Sequence, residues 1–282
     1  MTISLTRRAT LAGAAVAPVL GTAAAATADL PDKVRLYARA RGAPLDRQGR
    51  GAMGMTWYSG RYWGKRAYQA AKLFFRVDGF SFNKMVMNPD GSCQQDMVEV
   101  GFWLDPATGA PLDDWINPFN GLPCKPQHYK SSQSLRFGAD GNVVPAGEAV
   151  PGRKFAGYIT EPVMNGDSVW IGEDLIVEAI RPAPAADADL STVLPPIQTA
   201  TSLVTYTMRL QDIKKPEREF LPATMNYQTM GNWYPWMRMG YETGQCMFQL
   251  QGKKLRSLDE VPASLRALID ARRPGFLENP GI

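Results

Sequence analysis

The segment Val98-Glu99-Val100-Gly101-Phe102-Trp103-Leu104 alternates in a way that suits an extended strand. Side chains along a strand point to opposite faces with a period of two. Val98, Val100, Phe102 and Leu104 therefore share one face, and Glu99 stands on the other. Two similar turn sequences follow, Asp105-Pro106-Ala107-Thr108-Gly109 and Asn117-Pro118-Phe119-Asn120-Gly121, with Trp115 shortly before the second. Asp or Asn at the head of such a turn bonds to its own backbone and fixes it. His128, the only histidine of the chain, stands just beyond.

The same strand signature recurs along the chain. Met55–Trp63 reads as a hairpin turning at Ser59-Gly60. Lys72–Met87 carries Leu73, Phe75 and Val77, then Phe80, Phe82 and Val86 after a break at Asp78-Gly79, and Asn88-Pro89-Asp90-Gly91 is a turn. Lys154–Thr160, Ser168–Ile180, Thr201–Gln211 and the alternating run around Cys246, Phe248 and Leu250 supply further strands. Helical signals occur only near the ends. Val34, Tyr37 and Ala38 mark a helix over Pro31–Arg41, and Leu265, Leu268 and Ile269 mark another behind a capping box at Ser257–Glu260. The fold class that follows is mainly β: an antiparallel β-barrel or strongly curved sheet with short terminal helices. Strand does not alternate with helix, which disfavours a dinucleotide-binding α/β fold, and Gly49, Gly51 and Gly54 form no phosphate loop. The Pro/Ala-rich stretch at 181–196 is a long connection, either a lid or crossover loop or a linker.

Residues 1–28 read as a twin-arginine export signal: Thr6-Arg7-Arg8, an apolar run from Leu11 to Leu20, and an Ala26-Thr27-Ala28 cleavage site. The expectation is a periplasmic or secreted protein that meets the twin-arginine translocase during export. Residues 29–282 should form a single β-rich domain. The apolar run falls short of the roughly 20 residues a spanning helix needs, so no stable membrane insertion is expected. Removing Arg7 and Arg8 takes the formal charge from +4 to +2 (29 basic against 27 acidic residues). A near-neutral chain argues against nucleic acid as a partner. Cys93, Cys124 and Cys246 are odd in number, with no framework spacing. One histidine and no closely paired cysteines make a zinc site unexpected, and no cofactor or metal is expected. The sequence leaves the oligomeric state and the pairing of the cysteines open.

Together, Trp57, Gly60-Arg61, Gly101-Phe102, Asp105-Pro106, Thr108-Gly109, Trp115, Asn117-Pro118, Gly121 and His128 resemble a bacterial and fungal family catalogued as domain-of-unknown-function family 1838. Pro235-Trp236-Met237-Arg238-Met239-Gly240, then Gly244 and Gly252, is similar to that family's other recurrent block. The resemblance implies a shared fold and no assigned activity. The chain departs from the pattern at Ser131-Ser132-Gln133, where relatives tend to carry Asn-Asp-Pro, and at Tyr241, where an acid is common.

His128 is the side chain whose ordinary pKa lies nearest neutrality, which makes it the first acid–base candidate. The bland alternative is a hydrogen-bonded structural histidine. Glu99 is a carboxylate in an apolar strand, a plausible general base if it points into a barrel and merely the polar strand face if it points outward. Asp105 completes the candidate catalytic set, although it and Asn117 also suit turn-fixing roles. Asp78 and Glu161 draw the same argument as Glu99 more weakly. Cys124, between Pro123 and Pro126, is a loop thiol before it is a nucleophile. Arg61 and Arg238 lie among aromatics, where each either clamps a ligand carboxylate or packs its stem on the rings. Trp57, Tyr58, Trp103, Trp115 and Trp236, with Asn117, suit the wall of a small-molecule pocket, and aromatics suit a β core equally. The function expected is cofactor-independent acid–base chemistry (a lyase, isomerase or hydrolase) on an aromatic or apolar small molecule. A non-catalytic carrier or sensor of such a ligand is the alternative, and an assembly protein without a cavity is a third class.

Overall fold

The computed structural model describes residues 30–45, 51–147, 151–181 and 183–282. The expected export signal at 1–28 and Gly49 lie outside them. The elements are helix α1 (Lys33–Arg41), strands β1 (Gly54–Arg66), β2 (Lys72–Met87), β3 (Cys93–Leu104), β4 (Trp115–Ile116), β5 (Pro123–Cys124), β6 (Tyr129–Phe137), β7 (Asn142–Pro145), β8 (Arg153–Ile159), β9 (Val163–Asn165), β10 (Ser168–Ile180) and β11 (Ile197–Arg209), the single turn α2 (Leu210–Ile213), strands β12 (Thr224–Gly231) and β13 (Gly244–Leu255), and helix α3 (Ala263–Arg272). Ten strands close into an antiparallel barrel in the order β1-β2-β3-β6-β7-β8-β10-β11-β12-β13, with β13 returning to β1. Closure pairs both sides of most strands, and the edge that remains lies on the flank where only the short β7 stands between β6 and β8.

The barrel wall separates two kinds of surface. The expected face of Val98, Val100, Phe102 and Leu104 points outward and is buried, together with Phe80 and Phe82, beneath Leu265 and Ile269 of α3 and the tail residues Phe276 and Leu277. Each fully buried Leu or Ile of that helix contributes on the order of 1.5–3 kcal/mol. At one end of the barrel α1 enters and packs Val34, Leu36 and Tyr37 against Met85, Phe137, Ile159, Ile171 and Tyr206. Asp32 caps this helix, accepting from the Arg35 N–H at 3.0 Å. The other end is filled by aromatics: Tyr62, Phe74, Phe75, Trp103, Trp233 and Phe248, with Trp115 and Trp236 packed on them.

Three sequence expectations are corrected here. Ser59-Gly60 is not a turn, because β1 runs straight through it and pairs with β13 without interruption from Met55–Leu255 to Arg66–Gly244. Gly60 lies so close to the Gln249 carbonyl that a Cβ would overlap it, so the glycine serves a close approach of two backbones. Asp78-Gly79 is likewise no break, since β2 pairs with β3 without interruption from Arg76–Leu104 to Met87–Cys93. The capping box also gives way. Leu258–Glu260 is a 3-10 turn whose Ser257 side chain makes no cap bond, and α3 begins after Pro262.

The 181–196 segment is a long hairpin loop. The strands it joins, β10 and β11, pair along their full lengths from Ser168–Arg209 to Ile180–Ile197. β12 was not foreseen, because its alternation sets Met225, Tyr227 and Thr229 against polar neighbours and carries little apolar contrast. Among the described residues no helix is long and apolar enough to cross a membrane.

Candidate functional site

A cavity of about 300 Å³ lies inside the barrel, between the α1 end and the aromatic end, at the small end of the roughly 300–1,000 Å³ typical of ligand sites. Glu99 points into it from β3. Its Oε2 accepts from the Tyr58 hydroxyl at 3.0 Å and its Oε1 from the Ser131 hydroxyl at 2.8 Å. The Tyr129 hydroxyl lies 3.1 Å from that of Tyr58, which makes a chain Tyr129–Tyr58–Glu99 contributed by β6, β1 and β3. Space for the two rings comes from glycines. A Cβ on Gly79 would overlap the Tyr58 ring, and one on Gly101 would overlap the Tyr129 ring. Burial, with Glu99 nearby, pushes both tyrosine hydroxyls well above their ordinary range. They therefore stay protonated and remain donors near neutral pH. Tyr206 and Tyr227, also on the cavity wall, are pushed up by burial to about 12.

The floor of the cavity is an ion pair delivered by α1. Arg41 donates to Glu173 Oε2, to the Tyr37 hydroxyl at 2.5 Å and to Asn83 Oδ1 at 3.1 Å. Glu173 is fully buried on β10. Phe248, Leu250, Met225 and Tyr234 complete an apolar and aromatic wall. On the flank, β6 and β8 are joined only through the short β7, which pairs with β6 at Leu135–Phe137 and with β8 at Tyr158 and Gly157. Above β7 lies a second cavity, of about 680 Å³, which shares Ser131 and Gln133 with the interior. A third, lined by Arg181, Leu194 and Asn232, shares Tyr234 and Phe248 with it. The interior cavity thus has one neighbour on the flank, beside the short β7, and another at the loop end.

Of the residues expected at a site, Glu99 and Tyr58 line the central cavity and the others do not. His128 lies outside the barrel wall. Its Nδ1 accepts from the Trp103 backbone N–H at 3.0 Å, and its Nε2 lies 3.6 Å from Asp113 Oδ1. Burial, and then Arg272, lowers its pKa. Asp105 is a half-exposed turn residue accepting from Ala107 and Thr108 N–H at 2.9 and 2.7 Å. The turn bonds, that of Thr108 first, hold its carboxyl below the usual range. Asn117 is buried and donates to the Met237 carbonyl at 2.7 Å. Arg238, in a left-handed conformation, bonds Asp189 and Ser191 at 3.1 Å each and so ties down the 181–196 loop. Arg61 is exposed, and Trp57 lies on the outer face beside the α3 cluster. Trp103 donates its indole N–H to the Gln127 carbonyl at 2.8 Å and, with Trp115 and Trp236, belongs to the aromatic end. Asp78 shares the outer face of β2, and Glu161 bonds Lys33 at 2.7 Å. The three cysteines are free and buried.

Sequence reasoning passed over Glu173, Arg41, Tyr129 and Ser131. For Glu173 the signal was present. Ile171-Gly172-Glu173 sets a carboxylate beside a glycine inside an apolar strand, as Glu99-Val100-Gly101 does. Arg41 carried no such mark, because a basic last residue of a helix is ordinary.

A family model described as "Protein of unknown function (DUF1838)" matches residues 52–132 and 153–281. Those spans include Tyr58, Glu99, Tyr129, Ser131 and Glu173, while Tyr37 and Arg41 precede them. The search of curated proteins found no match.

Proposed function

Given that the chain belongs to this family of unknown function, we propose that it binds a small ring-bearing molecule inside the barrel and performs cofactor-independent acid–base chemistry on it. The observation that carries this reading is the Tyr129–Tyr58–Glu99 chain facing a ligand-sized cavity. Glu99 acts as the general base. The tyrosine hydroxyls, held protonated, donate to the oxygen on which negative charge develops. Proton removal followed by return or elimination makes the enzyme an isomerase or lyase, and the same groups serve a hydrolase. His128 has no part in this reaction, since its Nδ1 is already engaged with backbone on the far side of the wall.

One observation favours a second reading. Glu99 is already bonded by Tyr58 and Ser131, as it would be in a carrier or sensor whose polar groups only orient a ligand. The apolar run and twin arginines of residues 1–28 support export to the periplasm or beyond.

Native mass spectrometry of the protein from its own host, beside Glu99→Gln and His128→Asn, tests these proposals. A ligand that accumulates in Glu99→Gln alone supports the enzyme and names its substrate. The same ligand retained unchanged by all three forms makes the protein a carrier. Empty protein in every form overturns both readings.

A further inference from the structure

The floor of the cavity carries an unmet demand. Glu173 is fully buried, and its two oxygens differ. Oε2 accepts from both Arg41 and Tyr37, whereas Oε1 has no partner among the described residues. A buried acceptor without a donor is costly, and this carboxyl lines the same cavity as Glu99.

Arg41, the cation lining the cavity, is committed elsewhere. Its Nη1 serves Glu173 and Tyr37, its Nε serves Asn83 at 3.1 Å, and its Nη2 meets the Met97 sulfur at 3.3 Å. Turning the Gln95 amide also puts its oxygen 3.0 Å from Arg41 Nε and Nη2. An entering carboxylate or phosphate would therefore find two carboxyls and no free guanidinium.

We infer that the occupant is an uncharged hydroxylated ring compound. One hydroxyl donates to Glu173 Oε1 at the floor, a second oxygen meets the Glu99–Tyr58–Tyr129 cluster, and anionic compounds are rejected. This rests on the binding site proposed above and adds its selectivity. Discrimination follows from chemistry, because a hydroxyl satisfies the free oxygen, a methyl leaves it bare, and a carboxylate opposes it.

Three probes of one shape test the inference by calorimetric titration of the full chain at neutral pH: 4-hydroxybenzyl alcohol, 4-methylphenol and 4-hydroxybenzoate. The alcohol should bind about tenfold more tightly than the methyl compound, as expected for one hydrogen bond to a charged group, and the benzoate most weakly. In Glu173→Gln the alcohol's advantage should shrink and the penalty on the benzoate should fall. The wild-type series needs no variant, so the inference stays testable if Glu173→Gln does not fold. Benzoate binding as tight as the alcohol overturns the selectivity and leaves the barrel site standing. Failure of all three probes to bind, or binding that survives filling the cavity by Ser202→Phe on its β11 wall, overturns the selectivity and the site together.

Discussion

Glu99 and His128 leave adjacent strands of the barrel, one from the middle of β3 and the other just before β6, and they face opposite sides of the wall. Inside, Glu99 is held by the side-chain hydroxyls of Tyr58 and Ser131, which line the same cavity. Outside, His128 is held by a backbone N–H, with Arg272 and Arg273 close by and Asp113 at 3.6 Å. Both are titratable and largely buried, and ordinary pKa alone would rank the histidine first. The comparison teaches that acid–base capacity depends on what a group faces. A lone pair spent on the main chain serves the fold, whereas a carboxylate bonded by side-chain hydroxyls on a cavity wall faces open space.

The largest expected effect breaks that comparison most directly. With the substrate in hand, Glu99→Gln should lower turnover by about 10²–10⁴-fold, the range typical of a lost general base, while His128→Asn stays within about twofold of wild type once folded. Steady-state kinetics checks this, and equal losses in the two variants would dissolve the distinction. Next comes the floor of the cavity. Arg41→Ala leaves Glu173 buried without its cation, which should cost about 3–5 kcal/mol of stability by urea denaturation. A loss under 1 kcal/mol would show that the ion pair does not hold α1 in place.

The comparison sharpens at Gly101. Adding a methyl group drives Tyr129 off its seat, so Gly101→Ala should lose about 1–3 kcal/mol together with ligand affinity. The smallest effect belongs to pH. His128 is neutral in the fold and its pKa lies below the ordinary 6.5, so the unfolded chain takes up the proton first. Its stabilisation is fully present above about pH 6.5 and is lost as pH falls through the depressed folded value. Denaturation midpoints of the wild type should decline over that window more steeply than those of His128→Asn. Parallel declines would remove His128 from the account.

Much of the wall was legible in the sequence. Period-two alternation marked β3, β8, β10, β11 and β13, because one face of each strand differs in polarity from the other. It failed at Gly60 and Gly79, which read as turn glycines and are close-approach glycines, since a glycine carries the same letter in both settings. At the site, Glu99 and Tyr58 were legible as a carboxylate against the strand pattern and an aromatic beside an arginine. The role of Glu173 was not, although its local pattern matched that of Glu99.

The sequence by itself determined that the chain makes antiparallel strands with helices near its ends, and that Glu99 faces away from Val98, Val100, Phe102 and Leu104. Alternation along one strand is a local property, set by backbone geometry. Only the tertiary structure decided which face is the inside. The apolar face lies outward under α3, and the Glu99 face encloses the cavity. That choice depends on closure by pairing β10 with β11 and β13 with β1, and on a helix that contributes Arg41 to Glu173 from far along the chain. Contacts between residues so distant in sequence leave no periodic trace, and for that reason the site became visible only in the folded barrel.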